Sequence, residues 1–298
     1  MRSAVHLILL LSSVAHARPL TIVAAGDLHL GGKVEDPLAG ADFLAGDVRL
    51  CNLEGPLTAR GREAEGKLRV SPDRAARLRG RFDVVSLANN HALDQGAAGL
   101  DDTRRALASV GVEWADQSRD ALVLRDGRPV IVIARWFPPD DPLDGDELVR
   151  AVEAQRARGA VIVTLHWGHT GSLLPAPAQR QLAARLVAAG ASAILGHGPH
   201  TLQGWERLGR AVVAYSLGNL AFGCGCTDVA DAYALSFRLD DDGAVGDVRA
   251  IPLSAGLQRP VARSNDPQLR ELIDSLSRDL AARPGGPGLI KPRRSPAR

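Results

Sequence analysis

Asp27, His29, Glu54, Asn90, His91, His166, His197 and His200 all sit where a short strand-like run breaks off. Residues 20–25 run into Gly26-Asp27-Leu28-His29, residues 47–51 into Asn52-Leu53-Glu54, and residues 84–88 into Asn89-Asn90-His91. Residues 161–165 run into His166-Trp167-Gly168, and 193–195 into Gly196-His197-Gly198-Pro199-His200. Carboxylates, imidazoles and one amide form a mixed oxygen and nitrogen donor set, which suits two divalent transition ions better than magnesium alone. Taken singly, each residue is equally well explained by a cap, a turn or a hydrogen-bonded histidine. The set carries more weight, because five of the eight histidines directly follow strand-like runs.

The elements that must position these groups can be read from periodicity. Short β-branched runs that break into Gly plus His or Asn describe parallel strands with polar carboxyl ends, the edge where open α/β sheets place their sites. Three such ends, after 161–165, 193–195 and 212–215, are expected to converge, the last through Ser216-Leu217-Gly218-Asn219. Residues 177–189, with Leu182, Leu186 and Val187 on one face and Gly190 as the stop, supply the crossover helix a parallel pair needs. Leu100, Thr103, Leu107 and Val110 form a helix closed by Gly111, so Asn89-Asn90-His91 lies in a βα turn. Ser71-Pro72-Asp73 starts a short helix that stops at Gly80. A further strand covers 129–134, and Asp146 caps a helix reaching Arg156. After Asn219 the alternation of Tyr233, Leu235, Phe237 and Leu239 with small or polar residues predicts an antiparallel hairpin with one wet face. Asp266 caps a last amphipathic helix with Leu269, Leu272, Ile273, Leu276 and Leu280 inward.

Composition bounds the rest. The 298 residues are 45% apolar and 23% charged, which supports a substantial core. A net charge of +2 with 4% aromatic content gives no basic surface interleaved with stacking rings, which argues against nucleic acid as a partner. Arg2, the apolar residues 5–14 and Ala15-His16-Ala17 read as a secretory signal, cut before Arg18; an uncleaved anchor is the alternative. Residues 18–282 read as one domain and 283–298 as a flexible basic tail. Cys51, Cys224 and Cys226 fix no disulfide connectivity, and Cys224-Gly225-Cys226 lacks the second pair a zinc knuckle would need.

Several motifs together carry a resemblance. Gly26-Asp27, Asn52-Leu53-Glu54 with Pro56 and Thr58, Asn89-Asn90-His91-Ala92 with Asp94 and Gly96, His166-Trp167-Gly168, Gly196-His197-Gly198-Pro199-His200 and Tyr215-Ser216-Leu217-Gly218-Asn219 resemble the poly-γ-glutamate capsule-synthesis protein CapA family. That family resembles calcineurin-like metallophosphoesterases. The resemblance implies an α/β fold, a four-layer α/β/β/α sandwich with a dinuclear centre of manganese, iron or zinc. It implies Asp27, His29, Glu54, Asn90, His166, His197 and His200 as metal ligands, His200 ahead of His197, with His91 as the acid that protonates a leaving group. Asn89, Trp167 and Asn219 would face substrate, although Trp167 is equally readable as a core-packing ring. Thr170 stands where many relatives have a glutamate.

The function this implies is an exported, metal-dependent hydrolase or transferase of poly-γ-glutamate or another envelope polymer, in the periplasm or cell envelope of a bacterium. Metal-bound hydroxide would attack an amide or phosphoester. Its partners would be an anionic envelope polymer or a small phosphoester or amide, together with capsule-synthesis membrane proteins. Two readings compete with it. One is a non-catalytic polyanion-binding assembly protein, towards which Thr170 leans; the other is a periplasmic nucleotide phosphodiesterase.

Overall fold

The computed structural model describes residues 18–62, 64, 66–223, 231–255, 259–263 and 265–282. Residues 1–17, expected from the sequence to be a secretory signal, Cys224, Cys226, and residues 283–298, expected to be a basic tail, lie outside the described residues. In chain order the elements are β1 (Leu20–His29), β2 (Val48–Leu53), a 3₁₀ helix (Pro72–Arg77), β3 (Val84–Ser86), α1 (Gly96–Ser109), β4 (Glu113–Ala115), β5 (Ala121–Arg125) and β6 (Arg128–Trp136). There follow α2 (Asp146–Gln155), β7 (Ala160–His166), α3 (Pro177–Ala189), β8 (Ala191–His197), β9 (Trp205–Leu208), β10 (Ala211–Ala214) and β11 (Asn219–Phe222). The chain closes with β12 (Asp231–Leu239), β13 (Val245–Ser254), β14 (Val261–Ala262) and α4 (Pro267–Ala282).

Two sheets result. One runs β14-β13-β12-β1-β2-β3-β4 with β11 also beside β1, and the other runs β5-β6-β7-β8-β10-β9. Alternation along the strands sends one set of side chains to each face. Leu20, Ile22, Ala24, Leu50 and Val84 of the first sheet meet Val130, Val132, Ile162, Leu195 and Val212 of the second in the central core. The opposite face of the first sheet, with Val23, Cys51 and Val85, is covered by Leu107 of α1 and by Ala75 of the 3₁₀ helix. The opposite face of the second, with Ile133, Val163 and Ile194, is covered by Leu148 and Val152 of α2 and Leu182 and Leu186 of α3. The layers are therefore α/β/β/α, as the resemblance implies.

Several expectations need correction. Strand β1 does not stop at Ala25 but continues through His29. Asn219 does not trail the 212–215 strand as a turn: the chain leaves the second sheet at Ala214 and enters the first at Asn219. The hairpin keeps most of its wet residues, such as Asp247 and Arg249, on β13, whereas β12 lies between β1 and β13 with six of its nine residues buried and Arg238 exposed. Leu272 of α4 is exposed, while Asp266 does cap that helix, its Oδ1 accepting the Gln268 and Leu269 N–H groups at 3.0 Å each. Ser71 precedes the 3₁₀ helix but makes no capping bond. Among the described residues no helix is long and apolar enough to cross a membrane.

Candidate metal centre

A bulge in β1 turns the first carboxylate inward. Ala24 lies opposite Leu50 on β2, yet Asp27, three residues on, lies opposite Asn52, only two residues on. One extra residue in β1 thus shifts the alternation, and Asp27 joins the face of Ala24 and Leu50, between the sheets. The same spot is where β1 changes neighbour on its other side, from antiparallel β12 at Ala24 to parallel β11 at Asp27. The Asp27 N–H donates to Gly218 O at 2.9 Å. A Cβ on Gly26 would sit 1.9 Å from Gly218 O, so only glycine allows this approach.

The remaining groups come from the carboxyl ends of both sheets. Glu54 follows β2, His91 follows β3, His166 ends β7 in register with His197 of β8, and His200 lies just beyond. Asp27 and Glu54 are fully buried. Asp27 Oδ1 lies 3.2 Å from His197 Nδ1, Asp27 Oδ2 lies 3.2 Å from His200 Nδ1, and Glu54 Oε1 lies 3.5 Å from His200 Nε2. Asp27, Glu54 and His200 each offer a ligand atom within 4.8 Å of the others. His200 is held at φ 57°, a left-handed conformation unusual for a residue with a Cβ, and its ring meets Phe222 edge-on with centroids 4.9 Å apart.

Electrostatics follow from burial and proximity. Burial opposes ionisation of Asp27, but the His197 and His200 imidazoles hold it well below the usual carboxylate range. Burial, with Asp27 adding repulsion, pushes Glu54 up despite the attraction of His200. Burial works against charge on His200 too, yet Asp27 and Glu54 prevail and raise it to about 9. Burial lowers His166 to about 3 and His29 to about 4, so both are neutral imidazoles with lone pairs to offer.

The donor set passes a test for a metal ion. Glu54 Oε1, His197 Nε2 and both His29 nitrogens are buried without hydrogen-bond partners, while His197 Nδ1 meets Asp27 Oδ1. Leaving such groups unpaired costs about 1–3 kcal/mol each, which a ligand would recover. Carboxylate oxygen with imidazole nitrogen suits a divalent transition ion. His200, with Nδ1 3.0 Å from Asn219 Oδ1, has the outer partner that fixes a ligating tautomer.

The expected site residues fall into three groups. Asp27, Glu54 and His200 converge, with His197 against Asp27 and His91 at the rim, its Nε2 3.9 Å from Glu54 Oε1. His166 reaches the cluster through Asn52 Nδ2, 3.4 Å from its Nδ1, and His29 stands in a slot beside Phe222, ring centroids 5.6 Å apart. Asn90 is exposed. Its neighbour Asn89 is buried: its Nδ2 donates to Asn52 Oδ1 and Leu53 O, and its Oδ1 accepts the His91 N–H. Trp167 packs as a core ring, fully buried, stacked on Tyr215 at 6.2 Å and donating Nε1–H to Tyr215 O at 2.9 Å. Asn219, also buried, holds His200. Asn52 and Asp94, quoted in the motifs but given no task there, prove central to the hydrogen bonding. Their signal was the polar side chain inside or just after a strand-like run.

The fold is a four-layer α/β/β/α sandwich with a donor cluster at the carboxyl ends of its strands. At TM-score 0.50 the chain superposes on the crystal structure of a 5'-nucleotidase precursor from Thermus thermophilus, 18% identical, covering 89% of this chain and 59% of that one. A hypothetical protein from the same organism matches at TM-score 0.50 and 16% identity over 78% and 99% of the two chains. The family model for the bacterial capsule synthesis protein PGA_cap matches residues 21–133 and 117–224, and the chain belongs to that family. The capsule biosynthesis protein CapA of Bacillus anthracis is 30% identical over 210 residues, 62% of this chain and 51% of that protein. The PGA biosynthesis protein CapA of Bacillus subtilis (strain 168) is 28% identical over 292 residues, 85% and 77%. A probable polyglutamine synthesis accessory protein of Mycobacterium tuberculosis is 32% identical over 233 residues, 66% and 59%. The matched region thus spans about half the length of the first of these relatives.

Proposed function

We propose that this chain is an exported, metal-dependent hydrolase or transferase that cleaves or transfers an amide or phosphoester of an anionic bacterial envelope polymer, poly-γ-glutamate being the chemistry its relatives' names suggest. One observation carries the reading: Asp27, Glu54 and His200 present ligand atoms within 4.8 Å of one another, and an Asp94-bound His91 faces Glu54 from the rim. A divalent ion there would supply Lewis acidity and a water of lowered pKa. Asp27, Glu54 and His200 would hold it, with His197 and His166 as the further imidazoles at hand.

The rest of the chemistry belongs to the chain. Asp94 Oδ2 takes the Nδ1 side of His91 at 2.7 Å, which leaves Nε2 towards the cluster as the atom that carries a proton to a leaving group. His91 is the one member of the cluster's surroundings with a side chain 20% exposed, so it can meet a substrate arriving from solvent. Residues 1–17 support export by their signal pattern. Membrane proteins of capsule assembly are the partners this role would require.

The test is hydrolysis of γ-glutamyl amides and phosphodiesters by metal-loaded protein and by His91→Ala. Loss of about 10²–10⁴-fold in rate with unchanged metal content supports the acid role. Activity unaffected by His91→Ala removes the acid role, and absence of both bound metal and hydrolysis leaves the polyanion-binding scaffold as the better account.

A further inference from the structure

We infer that this centre holds a single divalent ion, and that Asn52 is the residue that limits it to one. The inference rests on the metal-dependent reading above and sets the capacity of that same site. The sequence, read as a family member, points to two ions.

Asn52 lies fully buried between the two carboxylates. Its Nδ2 is 2.9 Å from Asp27 Oδ1 and 3.2 Å from Glu54 Oε2. An amide nitrogen carries two hydrogens and offers no lone pair to a metal, so these contacts are donated hydrogen bonds. The orientation of the amide is fixed from outside. Asn89 donates to the carbonyl of Leu53 and accepts from the N–H of His91, two backbone groups that allow only one arrangement of its own side chain. Asn89 Nδ2 then donates to Asn52 Oδ1 at 3.0 Å, which leaves Asn52 Nδ2 to face the carboxylates.

One oxygen of each carboxylate is thereby taken by an N–H. The other two, Asp27 Oδ2 and Glu54 Oε1, lie 3.2 Å and 3.5 Å from the two nitrogens of His200, and Asp27 Oδ2 also accepts the longer 3.3 Å bond from the Gly198 N–H. They converge on one place. Among the described residues, Asp27, Glu54 and His200 are the one group of three such side chains with ligand atoms this close. Charge agrees with the count: one divalent ion balances the two buried carboxylates, whereas a second would bring two further positive charges with no carboxylate among these ligands to balance them. Aspartate at position 52 would exchange the two hydrogens on Nδ2 for one accepting oxygen and supply the missing negative charge.

The experiment strips the full chain with chelator, reloads it separately with manganese, iron(II) and zinc, and counts bound metal by elemental mass spectrometry and calorimetric titration, for wild type and Asn52→Asp. One equivalent in wild type and two in Asn52→Asp is the expected result. Two equivalents in wild type overturns the inference and leaves the metal-dependent reading standing. None in wild type overturns that reading itself. A folded Asn52→Asp chain, judged by circular dichroism, that still binds one equivalent removes Asn52 as the limiting residue. Where that variant fails to fold, the wild-type count decides.

Discussion

Asp94 Oδ2 lies 2.7 Å from His91 Nδ1 and also accepts the backbone N–H of Leu68 at 2.5 Å. The imidazole at the rim is thus tied through one carboxylate to the 66–70 segment, and its outward nitrogen points at Glu54 as a consequence of that tie. Asp94→Asn keeps the size of the side chain but weakens its hold on Nδ1–H. We expect a rate loss of about 10–100-fold, the usual cost of removing an outer partner. Metal content should remain that of wild type. Steady-state kinetics beside elemental analysis separates this outcome from a general loss of the site.

Gly26→Ala tests the bulge. Its Cβ would stand 1.9 Å from the carbonyl oxygen of Gly218, a backbone atom that cannot swing aside. The strand must move away from β11, and Asp27 moves with it. Urea unfolding should show a loss of about 1–3 kcal/mol, as for other overpacked sites. Metal affinity should fall in the same variant, although position 26 carries no ligand.

Trp167→Phe separates core from substrate roles. The change removes the Nε1–H donor to Tyr215 O in a place with no water to replace it. Stability should drop by about 2 kcal/mol, within the range for an unpaired buried acceptor. The KM for any substrate found should stay as in wild type; a raised KM with full stability would restore Trp167 as a substrate wall.

Asp47 gives a pH dependence away from the centre. Its hydrogen bond and ion pair with Arg18, aided by the Thr21 N–H and working against partial burial, lower its pKa from 3.8 to about 2. A carboxylate lowered on folding adds stability above its unfolded pKa and loses it as pH falls through the folded one. The urea midpoints of wild type and Asp47→Asn should therefore differ at pH 6 and draw together between pH 3.8 and about 2. High salt should shrink the difference at pH 6, because Arg18 is mostly exposed.

Much of the fold was legible because its central strands are continuous apolar runs covered on both faces, as in β7 and β8. Strands β4, β5 and β9 escaped notice. Glu113–Ala115 is three residues long, Ala121–Arg125 exposes Leu122 and Leu124 at a sheet edge, and Trp205–Leu208 is an edge strand carrying Glu206 and Arg207. Edge strands need no buried pattern, so they leave none to read. At the site, the polar groups that end strands were visible as residue types. The tasks of Asn52 and Asn89 were not, because they arise from register: Asn52 stands opposite Asp27 only by virtue of the β1 bulge. The bulge itself depends on Gly26 meeting Gly218, a contact that no local pattern encodes.

The change of neighbour along β1 also orders events in time. Asp27 leaves the ribosome early, but the groups that give it meaning come late: 171 residues separate it from Gly198, whose N–H meets Asp27 Oδ2, and β11 comes later still. Contacts this distant along the chain are slow to form, since the loop between them must close first. A growing chain therefore carries Asp27 on an unfinished strand, before the rest of the donor cluster has formed. On the metal-dependent reading proposed above, metal capture would coincide with the last steps of folding, and the ion installed would be the one present where the chain is completed.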